Sequence, residues 1–348
     1  TEERPRQGGN AFVFRAERGS QQAAIKVLKD RYWNGSRLAR FADEIEAMRR
    51  CADIPGVLPV LEVYFPKLPS RDQPPWFAMP LAEPMSEALA GATLPQIVEA
   101  ICAVAATLTQ THEREISHRD IKPDNLFRLD GKWYVGDFGL AYFEGKSAET
   151  AKGEKIGPIY FIAPEMLNHS DTADGKTADV YSLAKTLWVL ATGQRYPLPG
   201  HHDLAVEAYT IGTFNPAPGA TQLDRLLAMC TAIDPTKRLP MARMAAELEA
   251  WLNPPKKQGA PIALDLSKAA PELEVRRLRA QARENSRKAQ QEYSAAEGLR
   301  LRERFRPLFN ELLTTLEEHF HVTGNIDRFQ YGFEVSAAIP EDGENAGA

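Results

Sequence analysis

His118-Arg119-Asp120-Ile121-Lys122-Pro123-Asp124-Asn125 is the most informative stretch of this chain. It sets a carboxylate, an ammonium and a carboxamide side by side in a polar loop. Taken alone, Asp120 or Asn125 reads as an ordinary turn residue, because Asp and Asn side chains bond readily to their own backbone in turns. Two further motifs change that reading. Asp137-Phe138-Gly139 begins seventeen residues past Asp120, and Ala163-Pro164-Glu165 follows. Three motifs in a fixed order and spacing are specific where any one of them is weak.

The rest of the chain bounds what these motifs can belong to. It has 348 residues, 43% hydrophobic, 26% charged and 9% aromatic, the composition of a globular protein with enough apolar surface for two or three folding units. The net charge of −5 argues against wholesale nucleic-acid binding. No run approaches 18 apolar residues, so no transmembrane helix and no membrane partner is expected. Cys51, Cys102 and Cys230 are far apart, with no metal-ligand spacing, and fit a reducing, cytoplasmic setting. No secretory signal segment is read at the start, and the opening Thr1 suggests a piece of a longer protein.

Three regions follow one another. Residues 10–81 are strand-rich: Ala11–Phe14, Ala23–Leu28 and Trp76–Met79 are strand candidates, interrupted by helical spacing at Phe41, Ile45 and Met48. Residues 83–253 read as helices and loops, with helical periodicity at 97–112, 180–190, 223–230 and 241–252. Asn253-Pro254-Pro255-Lys256-Lys257-Gln258-Gly259 reads as a linker. Beyond it, 271–320 reads as one or two long helices with an apolar stripe at Phe305, Leu308, Phe309, Leu312, Leu313, Leu316 and Phe320. Phe329, Tyr331, Phe333 and Val335 then alternate as one strand.

On its three motifs, the chain resembles the eukaryotic-like (Hanks-type) Ser/Thr protein kinase family over roughly residues 5–253. The resemblance implies an α+β, two-lobe protein-kinase fold: a β-rich N-lobe and hinge (1–82), an α-helical C-lobe (83–253), and a linker with a mainly helical extension (254–348). It implies ATP and Mg²⁺ as cofactors and transfer of the γ-phosphate to Ser or Thr hydroxyls of proteins, including the chain itself. By the resemblance Asp120 receives or orients the acceptor proton, Lys122 reaches the transferring phosphate, and Asn125 and Asp137 offer hard oxygens to Mg²⁺. Lys26 matches the strand lysine that holds the α- and β-phosphates. Glu44 matches its acidic partner, with Glu46 and Asp43 as alternatives on neighbouring faces. Met79 matches the gatekeeper, and the Pro80 carbonyl and Ala82 N–H would meet the adenine edge. Val13, Ala24 and Phe127 would sandwich the ring while also packing as core. Asp179 matches the aspartate that braces the catalytic loop, and Arg238 the arginine paired with Glu165.

The chain departs from the family pattern in two places. Arg6, Gly8 and Ala11 stand where a Gly-x-Gly-x-x-Gly loop is expected, so only Gly8, with Gly9 beside it, keeps the glycine that lets backbone N–H groups approach phosphates. Pro158 stands where Ser/Thr kinases usually carry the threonine that ties the base to Lys122, which leaves dual specificity open. Ser147 and Thr150 lie mid-way along the activation segment and are the expected phosphosites, pairing with Arg119 once modified.

Two other function classes stay in view: a nucleotide-binding pseudokinase scaffold acting through its extension, and a kinase of small molecules. Lys26, Asp120 and Asp137 argue against the first, and Ala163-Pro164-Glu165 with Arg238 against the second. The extension is expected to pack on the kinase body, or to mediate a homodimer or partner contact through 271–335. Its basic run near Arg276–Lys288 is interrupted by acids, which makes nucleic acid an unlikely partner.

Overall fold

The computed structural model describes residues 6–7, 10–19, 21–33, 35–146, 160–168 and 172–254, and beyond these 300, 303–304, 306–307, 321–324 and 335–338. The chain divides into two compact units, Thr1–Lys256 and Lys257–Ala348.

The first unit opens with a sheet of five antiparallel strands in the order β1-β2-β3-β5-β4. These are β1 (Arg6–Gln7), β2 (Ala11–Arg18), β3 (Gln21–Leu28), β4 (Glu62–Tyr64) and β5 (Trp76–Pro80). β2 and β3 form a hairpin whose turn needs Gly19 at φ +65°. Between β3 and β4 lies α1 (Gly35–Arg50). Phe41, Ile45 and Met48 make a stripe at helical spacing and are buried, with the Phe41 ring 5.4 Å from that of Phe77 in β5. The stripe therefore fixes how α1 lies on the sheet, and so which of its carboxylates faces β3.

The remainder of the unit is mainly helical. It comprises β6 (Glu83–Pro84), α2 (Met85–Ala88), α3 (Leu94–Glu113), β7 (Leu126–Leu129), β8 (Lys132–Val135), α4 (Pro164–Asn168), α5 (Gly175–Thr192), α6 (Ile211–Phe214), α7 (Ala220–Cys230) and α8 (Met241–Leu252). α3 starts with Pro95 in its first turn, and the Thr93 N–H donates to Gln96 Oε1 at 2.9 Å. α5 is capped by Asp174, whose side chain accepts from the Lys176 N–H, and ends at Gly193 with φ +66°. Nearly every residue of α5 is buried, polar ones included, which marks it as the central helix of this lobe. A sheet-rich lobe followed by a helical one is the two-lobe α+β arrangement expected from the motifs.

One element departs from the sequence reading. Residues 83–253 are not helix and loop alone, because β6, β7 and β8 form a three-stranded sheet. The β7–β8 turn is Asp130-Gly131, with φ +49° and +76°, the left-handed pair that a tight hairpin turn requires. This hairpin places Asn125 at its entrance and Asp137 just past its exit.

In the second unit, β9 (His321–Gly324) pairs antiparallel with β10 (Val335–Ala338), Val335 opposite Gly324. Of the helices expected over 271–320, residues 300, 303–304 and 306–307 are described and are helical; the whole apolar stripe, with Phe329, Tyr331 and Phe333, lies outside the described residues, and Val335 opens β10.

Candidate active site

The loop carrying Asp120 is held from beneath by α5. The Asp179 side chain has no solvent exposure and accepts the His118 N–H on Oδ2 and the Arg119 N–H on Oδ1, both at 2.7 Å. His112 Nε2, on α3, lies 2.9 Å from the same Oδ2. Charge-assisted bonds from two successive N–H groups pin the loop where Arg119 takes φ +64°, a conformation disfavoured for any side chain but glycine. His118 carries the next constraint. Its Nδ1 accepts the Asp120 N–H at 3.2 Å while Nε2 lies 2.9 Å from the Gly136 carbonyl, which puts the ring proton on Nε2. Its ring packs 4.7 Å from that of Phe138. One imidazole thus fixes the distance between the Asp120 loop and the segment carrying Asp137.

Asp120 is buried, with its carboxylate facing two partners. Lys122 Nζ donates to Oδ1 at 3.2 Å and to Oδ2 at 3.0 Å. Asn125 Nδ2 donates to the Asp120 carbonyl and to Oδ2, both at 2.7 Å. Burial pushes the Asp120 carboxyl above its ordinary value, against the pull of Lys122. A carboxylate with raised proton affinity beside an ammonium suits a group that takes a proton from a hydroxyl.

The second cluster joins the sheet to the same segment. Lys26 Nζ, on β3, donates to Glu44 Oε1 at 2.6 Å and to Asp137 Oδ1 at 2.9 Å. Glu46, two residues along α1, pairs instead with Arg50 at 2.8 Å, and Asp43 is buried on the same helix. Burial works against the Lys26 charge, but Asp137 and Glu44 outweigh it and hold the ammonium above its ordinary value. For Asp137, burial is again opposed, here by Lys26, which brings the carboxyl down to about 2; 41% of its side chain still meets solvent. Glu44 goes the other way: burial raises it to about 7, and Lys26 offsets this only in part. Asp137 sits at φ +56°, so both acids of the site lie next to or at a strained backbone position.

The remaining expected residues fall around these clusters. Val13 lies opposite Lys26 across β2–β3, and Ala24 opposite Met79 across β3–β5. Pro80 ends β5 opposite Ala23, and Ala82 follows it before β6. Phe127, on β7, sets its ring against Gly136, where an added Cβ would fall 2.9 Å from Cε2; the close approach explains a glycine just before Asp137. Arg6 pairs with Val13 in β1–β2. Gly8, Ser147, Thr150 and Pro158 lie outside the described residues. Arg119 is buried with its guanidinium 4.4 Å from the Tyr142 ring and its Nε without a hydrogen-bond partner. Arg238 Nη1 and Nη2 meet Glu165 Oε1 and Oε2 at 2.5 and 2.8 Å.

Sequence reasoning assigned no role to His112, His118 or Ser182, whose hydroxyl donates to the Phe161 carbonyl at 2.9 Å. Only His118 carried a local signal, its place in the motif beside Asp120.

A protein-family model described as Protein kinase domain matches residues 7–248. The chain belongs to the protein kinase family. Among curated relatives of this kinase domain, the serine/threonine-protein kinase PknL of Mycobacterium tuberculosis is 30% identical over 259 residues, covering 70% of this chain and 63% of the relative. PknF of the same organism is 34% identical over 155 residues, covering 41% and 32%. The DNA damage-responsive serine/threonine-protein kinase RqkA of Deinococcus radiodurans is 30% identical over 212 residues, covering 58% and 30%. The chain thus spans between about a third and two thirds of these relatives' lengths.

Protein kinases generally use ATP and Mg²⁺. The donor set here fits that metal. Asn125 spends its amide hydrogens on Asp120, leaving its carbonyl oxygen as a donor, and Lys26 engages Oδ1 of Asp137, leaving Oδ2. Two hard oxygens are what Mg²⁺ takes from a protein when phosphates and waters complete its shell. No group of three or more His, Cys, Asp or Glu that could hold a metal ion occurs among the described residues.

Proposed function

We propose that this chain is a serine/threonine protein kinase that transfers the γ-phosphate of Mg²⁺-ATP to protein hydroxyls. The observation that carries the reading is Lys26 Nζ bonded at once to Glu44 and Asp137, in a chain whose Asp120, Lys122 and Asn125 form a second bonded cluster. Two clusters joined through His118 and Gly136 give a nucleotide-phosphate end and an acceptor end. Lys26 would hold the α- and β-phosphates, with Glu44 fixing its direction. Asn125 and Asp137 would hold Mg²⁺, which supplies charge neutralisation on the phosphate oxygens. Val13, Ala24, Met79 and Phe127 would wall the adenine pocket, with Pro80 and Ala82 giving backbone polar groups to its edge and Gly8 covering the phosphates.

At the acceptor end, Asp120 orients the Ser or Thr hydroxyl and takes its proton. The hydroxyl oxygen forms its bond to the γ-phosphorus as the bond to the β-phosphate bridging oxygen breaks, and ADP leaves with that electron pair. Lys122, held on both Asp120 oxygens, places a positive charge beside the transferring group, which supports Ser/Thr over Tyr acceptors. The scaffold alternative is not favoured, because Lys26, Asp120 and Asp137 are all present and bonded to partners rather than merely retained.

The setting we propose is cytoplasmic. Burial raises the Cys51 thiol to about 11 and Cys230 to about 12, so both stay protonated and unreactive. Among the described residues no helix is long and apolar enough to cross a membrane.

Radiolabelled ATP and Mg²⁺ with a mixed protein substrate, followed by acid hydrolysis, tests the reading. Labelled phosphoserine or phosphothreonine is the expected result. A thermal shift with Mg²⁺-ATP but no label in any protein would overturn it in favour of a nucleotide-binding scaffold.

A further inference from the structure

The bend between β1 and β2, where most of the expected glycines are missing, is tied down from outside the hairpin. Gln7 pairs with Phe12, so the chain turns within residues 8–11. Ala11, at the place of the last expected glycine, is 3% exposed and lies opposite Leu28 of β3. Asn10, beside it, is held on two sides. Its carbonyl accepts the Lys29 N–H at 3.1 Å, just past β3. Its side-chain Oδ1 accepts from Arg37 Nη1, also at 3.1 Å, in the first turn of α1. Arg37 is half-buried, with its guanidinium 5.7 Å from the Tyr32 ring. The connector that carries Tyr32 is anchored in turn, because the Trp33 indole N–H donates to the Leu28 carbonyl at 3.0 Å. A planar guanidinium set between a ring and an acceptor makes a directed contact that a freely turning side chain would not.

This tie shares its helix with the Lys26 cluster. Arg37 and Glu44 are seven residues apart on α1. Seven residues turn a helix by about 700°, close to two full turns, so both side chains leave α1 from nearly the same face, about 10 Å apart along the axis. Glu44 meets Lys26 of β3 from that face, and Arg37 meets Asn10 at the bend. Val13, three residues past Asn10, lies opposite Lys26, so the bend sits about 10 Å along β2 from the level of the lysine. One face of one helix thus sets both the ammonium and the bend.

We infer that Arg37 is a positioning residue for the nucleotide: through Asn10 it seats the glycine-poor bend over the phosphates. The inference rests on the kinase reading above, in which this bend covers the phosphates, and adds the residue that holds it there. A bend of three glycines reaches the phosphates by moving, and loses that freedom when the nucleotide binds. Here Ala11 and the Arg37 bond remove much of the freedom beforehand. A bend released from Arg37 is seated only part of the time, and the apparent Kd rises by the inverse of that fraction.

Calorimetric titration of a non-hydrolysable ATP analogue with Mg²⁺, and separately of adenosine, tests it on wild type, Arg37→Ala, Asn10→Ala and the double variant. Each single variant should bind the analogue about fivefold to tenfold more weakly, the scale of one hydrogen bond from a charged donor. The double variant should lose no more than the worse single one, because both changes remove the same bond. Adenosine, which carries no phosphate, should bind all four proteins alike. KM for ATP should rise with kcat within about twofold of wild type. Losses that add in the double variant overturn the inference, as do unchanged affinities in the single ones, and both leave the kinase reading intact. Adenosine weakened as much as the analogue also overturns it, since Arg37 would then only support the fold of its lobe. A wild type that binds neither compound overturns the kinase reading, and the inference with it.

Discussion

Asp179→Asn isolates what α5 does for the catalytic loop. The substitution keeps the shape of a fully buried side chain, so no cavity forms. It replaces two acceptor oxygens by one oxygen and one NH₂. In wild type each oxygen takes a different backbone N–H, from His118 and from Arg119, at 2.7 Å. Whichever way the amide turns, one N–H faces a donor and loses its partner, at a cost of about 1–3 kcal/mol for a buried group. The other bond survives but is no longer charge-assisted, a loss of roughly 1 kcal/mol. The sum is about 2–4 kcal/mol, which a domain with roughly 5–15 kcal/mol survives as a folded protein. Activity should fall much further. Arg119 is held at φ +64° by its bond to Asp179, and releasing it lets the next residue, Asp120, move away from Lys122 and Asn125. Guanidinium unfolding gives the first quantity and transfer of label to protein the second. A midpoint equal to wild type, or lowered stability with unchanged turnover, would refute the reasoning that Asp179 sets the loop.

Further outcomes follow from other contacts. Arg238→Met should destabilise by about 3–5 kcal/mol and more than Glu165→Gln, because it strands the Ala232 and Thr177 carbonyls as well as the acid; equal losses in denaturant unfolding would contradict this. Gly175→Ala would place a Cβ 2.2 Å from Ser117 Oγ and 2.8 Å from Arg119 Nε, so it should cost roughly 1–3 kcal/mol and slow turnover, where an ordinary helix glycine would gain stability. Burial pushes the Glu44 carboxyl up from 4.5 to about 7 in the folded chain. A raised value means that the stability tied to this proton is fully present below about 4.5 and lost as pH rises through 7, so Glu44→Gln should gain on wild type steadily across that range. A constant difference in unfolding free energy across that range would show that burial does not govern this acid.

The parts legible in the sequence were those whose chemistry is local. Asp120, Lys122 and Asn125 lie within six residues and reach one another over a single short turn. The helices at 97–112 and 241–252 were legible because each buries one periodic face. The hairpin at 126–135 lies in a region whose periodicity reads as helix and loop: its strands are four residues each, too short to show alternation, although Asp130-Gly131 is a strong turn signal. Glu44 was favoured over Glu46 by resemblance, and the physical reason is visible only in three dimensions. Two residues along a helix turn the side chain by about 200°, which hands Glu46 to Arg50 and leaves Glu44 facing Lys26. His112 owes its place to Asp179, 67 residues away, and the His118 ring bridges Asp120 to Gly136, 18 residues away; no local pattern announces either contact. Lys185 shows the same limit: a lysine within an apolar helix gives no sign that it will be buried, yet it bonds two carbonyls and is lowered to about 8 by that burial.

The central claim is that Asp120, held by Lys122 and Asn125, receives the acceptor proton in phosphoryl transfer. Its most direct test is incorporation of radiolabel from ATP with Mg²⁺, comparing the wild-type chain with Asp120→Asn at equal folded concentration. The account predicts label in the wild type and a loss of about a hundredfold or more in the variant, the scale of removing a general base, with the Mg²⁺-ATP thermal shift retained. Equal labelling by both proteins would contradict it, and so would a wild type that binds Mg²⁺-ATP and transfers nothing.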